Sequence, residues 1–339
     1  MTIWSDRVFV IAEAGVNHNG SIQLAKELID AAASAGVDAV KFQTFSADAL
    51  VSKDAVAAEY QKQNIGSEEI TQYQMLKSLE LSNEQQIELK AYSEDKGILW
   101  FSTAFDSTSL DFLQSLDSPL WKIPSGEITN FPYLRRIGSL GKPVILSTGM
   151  CSLGEVEWAV NVLSEAGVSK EMLCILHCNT EYPTPWSDVN LKAMPMLGRA
   201  FGTSYGYSDH TKGIEVPIAA VALGAKVIEK HFTLDRTMPG PDHAASLEPD
   251  ELAAMVKAIR HIELSLGDGI KRMTLSESAN SSVARKSIVA ARPIRKGEVF
   301  RDELLSAKRP GTGISHMEWP RLIGRVASRD YSEGEQITW

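Results

Sequence analysis

The stretch SYGYSDHTKGIEVPIAAVALGAKVIEKH, residues 204–231, contains two short segments that each end at or next to a histidine. Both segments have the composition of buried parallel strands, and Ile214–Leu223 between them has the pattern of a crossover helix. In such a βαβ unit both strand ends reach the same edge of the sheet, where these folds carry their functional residues. We therefore expect His210 and His231 to lie close together and to bind one divalent metal ion. The alternative is that each histidine only caps its strand through a hydrogen bond.

The alternation of strand and helix patterns extends from Val8 to about Gly267. The helical patterns have apolar residues at helical spacing, as in Leu24–Ala32, where Gly36 is expected to end the helix. Eight βα repeats predict a closed (β/α)8 barrel, the TIM-barrel type of α/β fold. The expected strands are Val8–Ala12, Ala39–Gln43, Leu99–Thr103, Leu120–Ile123, Val144–Ser147, Leu173–Asn179, Ser204–Ser208 and Val227–His231.

The chain is expected to have two domains. Residues 1–267 would form the catalytic barrel, residues 268–286 a linker, and residues 287–339 a small β-rich domain. Two segments of the second domain, residues 291–298 and 328–335, have similar sequences. They are predicted to be pseudo-symmetric hairpins with glycine turns.

The segment Phe45–Glu80, after the second strand, interrupts the repeat pattern. Connections of this length in a compact domain usually carry a function, so we expect a lid or an insertion at the rim of the barrel. The alternative is a disordered excursion.

Composition excludes several classes of partner. The 339 residues carry a net charge of −9, which argues against binding nucleic acid or an anionic membrane surface. Met1–Arg7 lacks the apolar stretch of a signal peptide and no later run has membrane-spanning length, so a cytoplasmic protein is expected. None of the three cysteines is in a C-x-x-C pair, and Cys174 and Cys178 are expected to be wall residues of one strand.

Polar residues stand at the carboxyl ends of the expected strands, which face the mouth of a TIM barrel. Those with ammonium, hydroxyl or amide groups suit a small anion that bears phosphate and carboxylate groups. This first set comprises Lys41, Thr103, Lys122, Ser125, Ser147, Asn179 and Ser208. A second set suits a polyol and comprises Glu13, Gln43, Glu127, Tyr182 and Asp242.

Two imidazoles completed by water or substrate oxygen suit Mn²⁺, Co²⁺ or Fe²⁺ as well as a catalytic Zn²⁺. No thiolate is placed to make the site a structural zinc centre. An open coordination sphere lets a metal polarise a carbonyl group, which favours carbonyl addition chemistry.

The chain resembles the sialic acid synthase family over nearly its whole length. The motifs that carry the resemblance are Ile11–Gly20 (IAEAGVNHNG), Lys41–Thr44 (KFQT), Lys122–Glu127 (KIPSGE), Leu146–Met150 (LSTGM), His177–Pro183 (HCNTEYP), Gly206–His210 (GYSDH), Glu229–Thr233 (EKHFT) and Gly240–His243 (GPDH). The C-terminal region resembles the antifreeze-like (SAF) domain of that family, with Lys308–Gly313 (KRPGTG) as its signature loop.

The resemblance implies condensation of phosphoenolpyruvate with an N-acylated mannose-type aldose, giving a nine-carbon 2-keto acid and phosphate. His210 and His231 would hold the metal, with Mn²⁺ expected and Mg²⁺ or Co²⁺ as alternatives, and the first set of residues would bind phosphoenolpyruvate. The second set would orient the sugar, with Glu13 as candidate proton carrier. Glu13, Lys41, Lys122, His210 and His231 are accordingly the expected catalytic residues.

Within the family, Lys41–Phe45, Glu59–Lys62 and Thr180–Tyr182 resemble legionaminic acid synthases more than N-acetylneuraminate synthases. The resemblance thus implies 2,4-diacetamido-2,4,6-trideoxymannose as the sugar, with N-acetylmannosamine as the alternative. It also implies a domain-swapped homodimer, in which Arg309 would contact the N-acyl group of a sugar bound to the partner's barrel.

Two hypotheses that assign the chain to other functional classes remain open. In a Schiff-base aldolase, Lys41 or Lys122 would attack a keto donor after burial lowers its pKa. In a carbohydrate-binding or scaffold protein the C-terminal domain would mediate assembly. The many ionisable groups at strand ends argue against the second hypothesis, because each destabilises the fold unless it is used or paired.

Overall fold

A computed structural model describes residue 4, residues 6–65 and residues 70–339. Residues 1–3 and 5, part of the segment expected not to be a signal peptide, lie outside the described residues. So do residues 66–69 of the expected insertion.

Eight parallel strands form the barrel, which confirms the predicted fold class. The hydrogen-bonded order is β3-β2-β1-β8-β7-β6-β5-β4, and the terminal strands β3 and β4 also contact each other. The strands are β1 Phe9–Gly15, β2 Ala39–Thr44, β3 Leu99–Ala104, β4 Trp121–Ile123, β5 Val144–Ser147, β6 Leu173–Cys178, β7 Ser204–Asp209 and β8 Val227–His231.

Helices surround the strands and fill the connections. Those of the first part of the chain are α1 Ile22–Ala35, α2 Ala47–Leu50, α3 Glu59–Ile65, α4 Gln72–Leu79, α5 Asn83–Asp95, α6 Ser107–Ser115, α7 Phe131–Gly138, α8 Leu153–Glu165, α9 Ala193–Phe201, α10 Glu215–Ala222 and α11 Pro249–Leu266. In α1 the Ser21 side chain caps the first turn, and Gly36 ends the helix with a φ of 76°. None of the helices in the described part of the chain is long and apolar enough to cross a membrane.

Strand alternation sorts the barrel into two cores. Along β1, Phe9 and Ile11 belong to an inner core that fills the barrel, whereas Val10 and Ala12 pack outward against the helices. By the same alternation, the Glu13 side chain lies on the inner side of β1. It stands at the carboxyl end of the strand, beyond the apolar residues of the inner core.

The insertion between β2 and β3 is helical in its described residues. α2, α3 and α4 precede α5, which is the crossover helix. Phe45, Met75 and Leu79 are buried there in a small apolar cluster with Val16 from the loop after β1. This cluster attaches the insertion to the rim of the barrel.

The chain divides into two compact units, 1–267 and 268–339. The second unit contains α12 Leu275–Ala284, β9 Ser287–Ala290, β10 Leu305–Lys308 and α13 Trp319–Leu322, and β9 and β10 are antiparallel. The stretch 268–286, expected to be a linker, therefore contains a helix. A buried core that includes Ile288, Phe300, Leu304 and Leu322 holds this unit together.

The predicted pair of hairpins in the second unit is wrong. The two similar segments, residues 291–298 and 328–335, pair with each other. Ile294 and Tyr331 exchange backbone hydrogen bonds at 2.8 and 2.9 Å. Gly297 and Gly334 do adopt left-handed turn conformations, with φ of 89° and 82°. Glycine turns were thus visible in the sequence, but the partner of each extended segment was not.

Candidate active site

The expected strand-end residues meet in one cavity of about 510 Å³ at the mouth of the barrel. Because the strands are parallel, their carboxyl ends reach the same face and bring distant residues together. Eleven of the predicted site residues line this cavity: Glu13, Lys41, Gln43, Thr103, Lys122, Ser125, Ser147, Tyr182, Ser208, His210 and His231.

Two lysines and two glutamates form a buried cluster in the wall of this cavity. Lys41 Nζ lies 2.6 Å from Glu13 Oε2 and 3.7 Å from Glu229 Oε2. Lys122 Nζ lies 3.7 Å from Glu229 Oε1, so Glu229 stands between the two lysines. A buried ammonium group without a partner is strongly unfavourable, and the two carboxylates therefore stabilise the lysines inside the barrel.

Burial disfavours the charged form of all four side chains, but the neighbouring charges decide the direction in which each pKa moves. Burial raises the pKa of Glu13 to about 7, against the opposing effect of Lys41. Burial acts on Glu229 in the same direction, but Lys122 and Lys41 outweigh it and hold its pKa below the usual range. Burial lowers the pKa of Lys122, whereas the two glutamates outweigh burial at Lys41 and raise its pKa. Glu13 is therefore the member best suited to exchange a proton near neutral pH.

Hydroxyl groups accompany the charged cluster. Lys122 Nζ donates a hydrogen bond to Ser147 Oγ at 2.7 Å, and Lys41 Nζ donates one to Thr103 Oγ1 at 3.4 Å. Ser208 Oγ donates to the carboxylate of Glu229 at 2.9 Å. Ammonium and hydroxyl groups arranged in this way can bind the oxygens of a phosphate or carboxylate.

Ser125 completes this half of the cavity together with a backbone amide. Its Oγ accepts a hydrogen bond from the N–H of Gly149 at 2.9 Å and lies 3.3 Å from Cys178 Sγ. A Cβ atom at position 149 would come within 2.6 Å of Thr180 Cγ2. Glycine at 149 is thus required for the close packing of the loops after β4, β5 and β6.

His210 and His231 lie next to this cluster, with their ring centroids 5.3 Å apart. The Nδ1 atom of His210 is hydrogen-bonded to the backbone carbonyl of Asn179, which fixes the ring and leaves Nε2 for another partner. Burial lowers the pKa of His210 to about 4 and that of His231 well below its usual value. Both rings are therefore neutral at physiological pH, the form in which imidazole binds a metal.

The histidine pair fits a divalent metal ion. Two imidazoles bound to one ion at roughly 2.1 Å place their ring centres roughly 4.5–6 Å apart, a range that includes the observed separation. The buried Nδ1 of His231 has no hydrogen-bond partner among the described residues. Across residues 4, 6–65 and 70–339, no group of three or more His, Cys, Asp and Glu side chains is arranged to hold a metal. The remaining ligands would then come from water or substrate.

A second buried ion pair lies behind the histidines. Lys230 Nζ lies 2.6 Å from Asp209 Oδ2, and both side chains are fully buried. Thr211 donates its hydroxyl and its backbone N–H to the same carboxylate. Because Asp209 and Lys230 each precede a histidine, this pair fixes the ends of β7 and β8 relative to one another.

An aromatic stack covers the histidines from the side of the insertion. Tyr182 stacks on His210 at 4.0 Å between centroids, and Tyr60 of α3 stacks on Tyr182 at 5.2 Å. Asn64, also in α3, donates to the backbone carbonyl of Pro241 at 2.6 Å and to that of Tyr182 at 3.3 Å. Helix α3 is thus attached to the loops after β6 and β8 above the mouth.

The predicted sugar residues occupy two adjoining spaces. Glu13, Gln43 and Tyr182 line the main cavity, and Gln43 Nε2 donates to Glu13 Oε1 at 3.2 Å. Glu127 and Asp242 line a second cavity, which shares Gln43, Tyr182 and His231 with the first. Burial raises the pKa of Asp242 to about 6, and its Oδ2 lies 3.7 Å from His231 Nδ1.

Two predicted site residues do not line either cavity. The Asn179 side chain accepts hydrogen bonds from the backbone N–H of Glu181 and from the Thr184 hydroxyl, and its backbone carbonyl accepts the bond from His210. Arg309 belongs to the second unit, where its Nε donates to the carbonyl of Ala284. Asn179 therefore acts at the mouth through its carbonyl, while its side chain holds the loop after β6.

Sequence reasoning assigned no role to Glu229 or Tyr60, which both line the main cavity. Glu229 precedes His231 by two positions on β8, so strand periodicity alone would have placed it on the same face. Cys178, expected to be a wall residue of its strand, lines the cavity at the end of β6. No signal in the sequence indicates that Tyr60 stacks on Tyr182, because α3 belongs to the insertion and not to the repeat.

The fold and the site define a TIM-barrel enzyme of the sialic acid synthase type with an additional C-terminal domain. The chain belongs to the NeuB family: the model of that family matches residues 28–271, and the SAF domain model matches residues 285–339. The resemblance inferred from the sequence motifs is thereby confirmed.

Individual relatives agree with this assignment. The chain is 50% identical to an N,N'-diacetyllegionaminic acid synthase of Campylobacter jejuni over 331 residues, covering 98% of this chain and 99% of the relative. It is 49% identical to a protein of the same name from Legionella pneumophila, covering 98% and 93%. The crystal structure of an N-acetylneuraminic acid synthetase from Leptospira borgpetersenii has a TM-score of 0.71 and 37% identity, covering 81% of this chain and 90% of that one.

Proposed function

We propose that this enzyme condenses phosphoenolpyruvate with 2,4-diacetamido-2,4,6-trideoxymannose to give N,N'-diacetyllegionaminate and phosphate. The observation that carries the proposal is the identity of about half the residues, over nearly the full length, to two proteins named as synthases of that product. A specific alternative is N-acetylneuraminate formation from N-acetylmannosamine, which the more distant likeness to the Leptospira synthetase supports. The cytoplasmic location stays an expectation from the sequence.

Phosphoenolpyruvate suits the half of the cavity that contains the lysines. Lys122 and Ser147, with Ser125 and the Gly149 amide nearby, would bind one anionic group, and Lys41 with Thr103 would bind another. These groups stabilise negative charge as it moves to the departing phosphate.

The aldehyde end of the sugar would lie beside His210 and His231. A divalent ion held by these two residues, with Mn²⁺ expected, would supply Lewis-acid polarisation of the aldehyde. The neutral, oriented rings and the unpartnered Nδ1 of His231 support this assignment. Tyr182 covers His210 and excludes water from that side.

The reaction balances with water as the third reactant. C3 of phosphoenolpyruvate attacks the aldehyde carbon, water adds to the resulting cationic C2, and the C2–O bond to phosphate breaks. The former aldehyde oxygen gains a proton and the added water loses protons. Glu13, buried beside Lys41 and Gln43, is placed to carry one of them.

We further propose a domain-swapped homodimer in which Arg309 of one subunit contacts a sugar in the barrel of the other. Within residues 4, 6–65 and 70–267, no arginine lines either cavity of the mouth. A guanidinium group from another subunit would supply a planar cationic donor, a type that the described lining of both cavities lacks.

Phosphate release provides the test of the proposed function. The enzyme, stripped with a chelator and then supplied with Mn²⁺, is incubated with phosphoenolpyruvate and either aldose. The kcat/KM for the diacetamido sugar should exceed that for N-acetylmannosamine by about ten-fold or more, and the chelated enzyme should be inactive. Equal or reversed preference would favour the N-acetylneuraminate alternative. A lysine trapped by borohydride in the presence of pyruvate would instead indicate a Schiff-base aldolase.

A further inference from the structure

The second cavity, which Glu127 and Asp242 line, is a side chamber that opens from the main one. Its volume is about 340 Å³, and it shares Gln43, Tyr60, Tyr182 and His231 with the main cavity. A substrate whose reacting carbon lies at the histidines can therefore extend into this chamber without leaving the site.

One wall of the chamber is apolar. It consists of Val16, Phe45, Leu50, Val51, Met75, Leu76, Leu79 and Phe105. Phe45 and Phe105 meet edge to face at 6.4 Å, and Met75 and Leu79 are almost fully buried. Most of this wall comes from the insertion between β2 and β3, which the barrel itself does not require. Phe42 of β2, by contrast, packs in the outer core, whereas Phe45, just after the end of β2, contributes its ring to the wall.

Amides and carboxyl groups also line the chamber. Gln61 and Gln72, which line the main cavity too, do so together with Glu127 and Asp242. Within the described residues the Gln72 side chain has no hydrogen-bond partner, while Gln61 Oε1 accepts from the backbone N–H of Ala58 at 2.9 Å. An amide pair of this kind can both donate to and accept from an acetamido group.

We propose that the side chamber selects the distal end of the aldose, accepting a C6 methyl group against its apolar wall and a C4 acetamido group against its glutamines. The inference rests on the proposed function and specifies which part of the site discriminates between aldoses. A C6 hydroxyl group against the apolar wall would lose its hydrogen bonds to water without replacement, whereas a methyl group would gain by burial. The insertion is thus the specificity element of this barrel.

A set of four aldoses separates the effects of the two substituents on turnover. The set is N-acetylmannosamine, its 6-deoxy analogue, its 4-acetamido-4-deoxy analogue, and the sugar with both changes. Phosphate release with phosphoenolpyruvate and Mn²⁺ is measured for each. We expect each change alone to raise kcat/KM, by about four-fold or more for the methyl group and about ten-fold for the acetamido group.

Leu76→Asn places a polar group in the apolar wall at a half-buried position, and Leu264→Asn is the matched control on an exposed face of α11. Leu76→Asn should bring the kcat/KM for the 6-methyl sugars close to that for their 6-hydroxyl counterparts, with the KM for phosphoenolpyruvate unchanged. Leu264→Asn should change neither. Val51→Asn, in the same wall, replaces Leu76→Asn if that variant does not fold.

If kcat/KM is higher for the diacetamido sugar than for N-acetylmannosamine but sugars that differ only at C6 are turned over equally, the role of the chamber is overturned and the proposed function stays in place. The same holds if Leu76→Asn lowers kcat/KM equally for every sugar. Absence of phosphate release with every aldose would overturn the proposed function itself, and the role of the chamber with it.

Discussion

Glu229 determines how two lysines can be buried at the mouth of this barrel. Its two oxygens face Lys41 and Lys122 at 3.7 Å each, and Glu13 adds a second carboxylate at 2.6 Å from Lys41. Glu229 stays charged between the two lysines, whereas Glu13 exchanges its proton near neutral pH. When an anion arrives, Glu13 can take up a proton because burial raises its pKa to about 7. The cluster would thus be preorganised for the proposed anionic substrate, with no need for the lysines to move.

Replacing either histidine of the pair tests the proposed metal site. In His210→Ala and His231→Ala, kcat should fall by about three orders of magnitude or more, because Lewis-acid stabilisation is worth several kcal/mol. The Kd for phosphoenolpyruvate should change less than about ten-fold, since Lys41 and Lys122 remain. Mn²⁺ binding, followed by electron paramagnetic resonance, should be lost in both variants. His261→Ala, on the exposed face of α11, is the control. Retention of Mn²⁺ binding in both variants would contradict the assignment.

The loops after β1 and β8 are joined by neutral polar groups and not by charges. Asn17 Nδ2 donates to the carbonyl of Phe232 at 2.8 Å, and His243 forms hydrogen bonds with Thr233 at 2.7 Å and Asn19 at 3.2 Å. This connection holds the segment that carries Asp242 beside the histidine pair. His18 is completely buried in the same region.

The neutral state of His18 makes the fold sensitive to acid. Burial lowers the pKa of His18 to about 4, from an ordinary value of 6.5. As the pH falls below about 6.5 the unfolded chain takes up a proton that the folded chain does not, so the folded state loses stability. From pH 7 to pH 5 this effect of His18 should amount to about 2 kcal/mol.

Urea unfolding of the wild type and of His18→Gln at pH 7 and pH 5 provides the measurement. The wild type should lose about 2 kcal/mol more than the variant on acidification, with His261→Gln behaving as the wild type. Equal losses in wild type and His18→Gln would show that His18 is not held neutral.

The barrel elements could be predicted closely from the sequence, and the segments outside the repeat could not. β5 and β8 begin and end where the pattern places them, and α10 lies within the expected crossover. Eight short apolar segments that alternate with helical patterns leave few alternatives to a parallel barrel. The helix α12 was missed because its serine-rich sequence is typical of a linker. The roles of α3 and of Phe45 depend on tertiary packing, which no local pattern in the insertion reveals.

At the level of the whole chain, the barrel mouth contains every predicted sugar residue except Arg309. The sequence could predict the strand-end residues because parallel strands fix where their ends meet. It could not predict from pattern alone whether a residue of a separate compact unit reaches a site. An experiment with intact subunits tests whether Arg309 completes such a site.

Mixed dimers test whether Arg309 acts in trans. Arg309→Ala alone should raise the KM for the sugar about ten- to one-hundred-fold and leave that for phosphoenolpyruvate nearly unchanged, as expected for loss of a charged hydrogen bond. Arg301→Ala, an exposed arginine in the same unit, is the control.

Co-expression of Arg309→Ala with His231→Ala should restore about a quarter of wild-type activity at low sugar concentration, because half of the dimers are mixed and each has one complete site. No recovery in the mixture would mean that Arg309 does not complete a partner's site. Equal effects of Arg309→Ala on both KM values would also contradict its proposed contact with the sugar.

The most direct test of the proposed chemistry follows the oxygen that bridges carbon and phosphorus in phosphoenolpyruvate. The substrate is labelled with ¹⁸O at that position and converted with 2,4-diacetamido-2,4,6-trideoxymannose and Mn²⁺, and both products are examined by mass spectrometry. Condensation by attack of C3, addition of water at C2 and cleavage of the C–O bond predicts that the label appears in inorganic phosphate. Label retained in the nine-carbon acid, or phosphate release without that acid, would contradict the account.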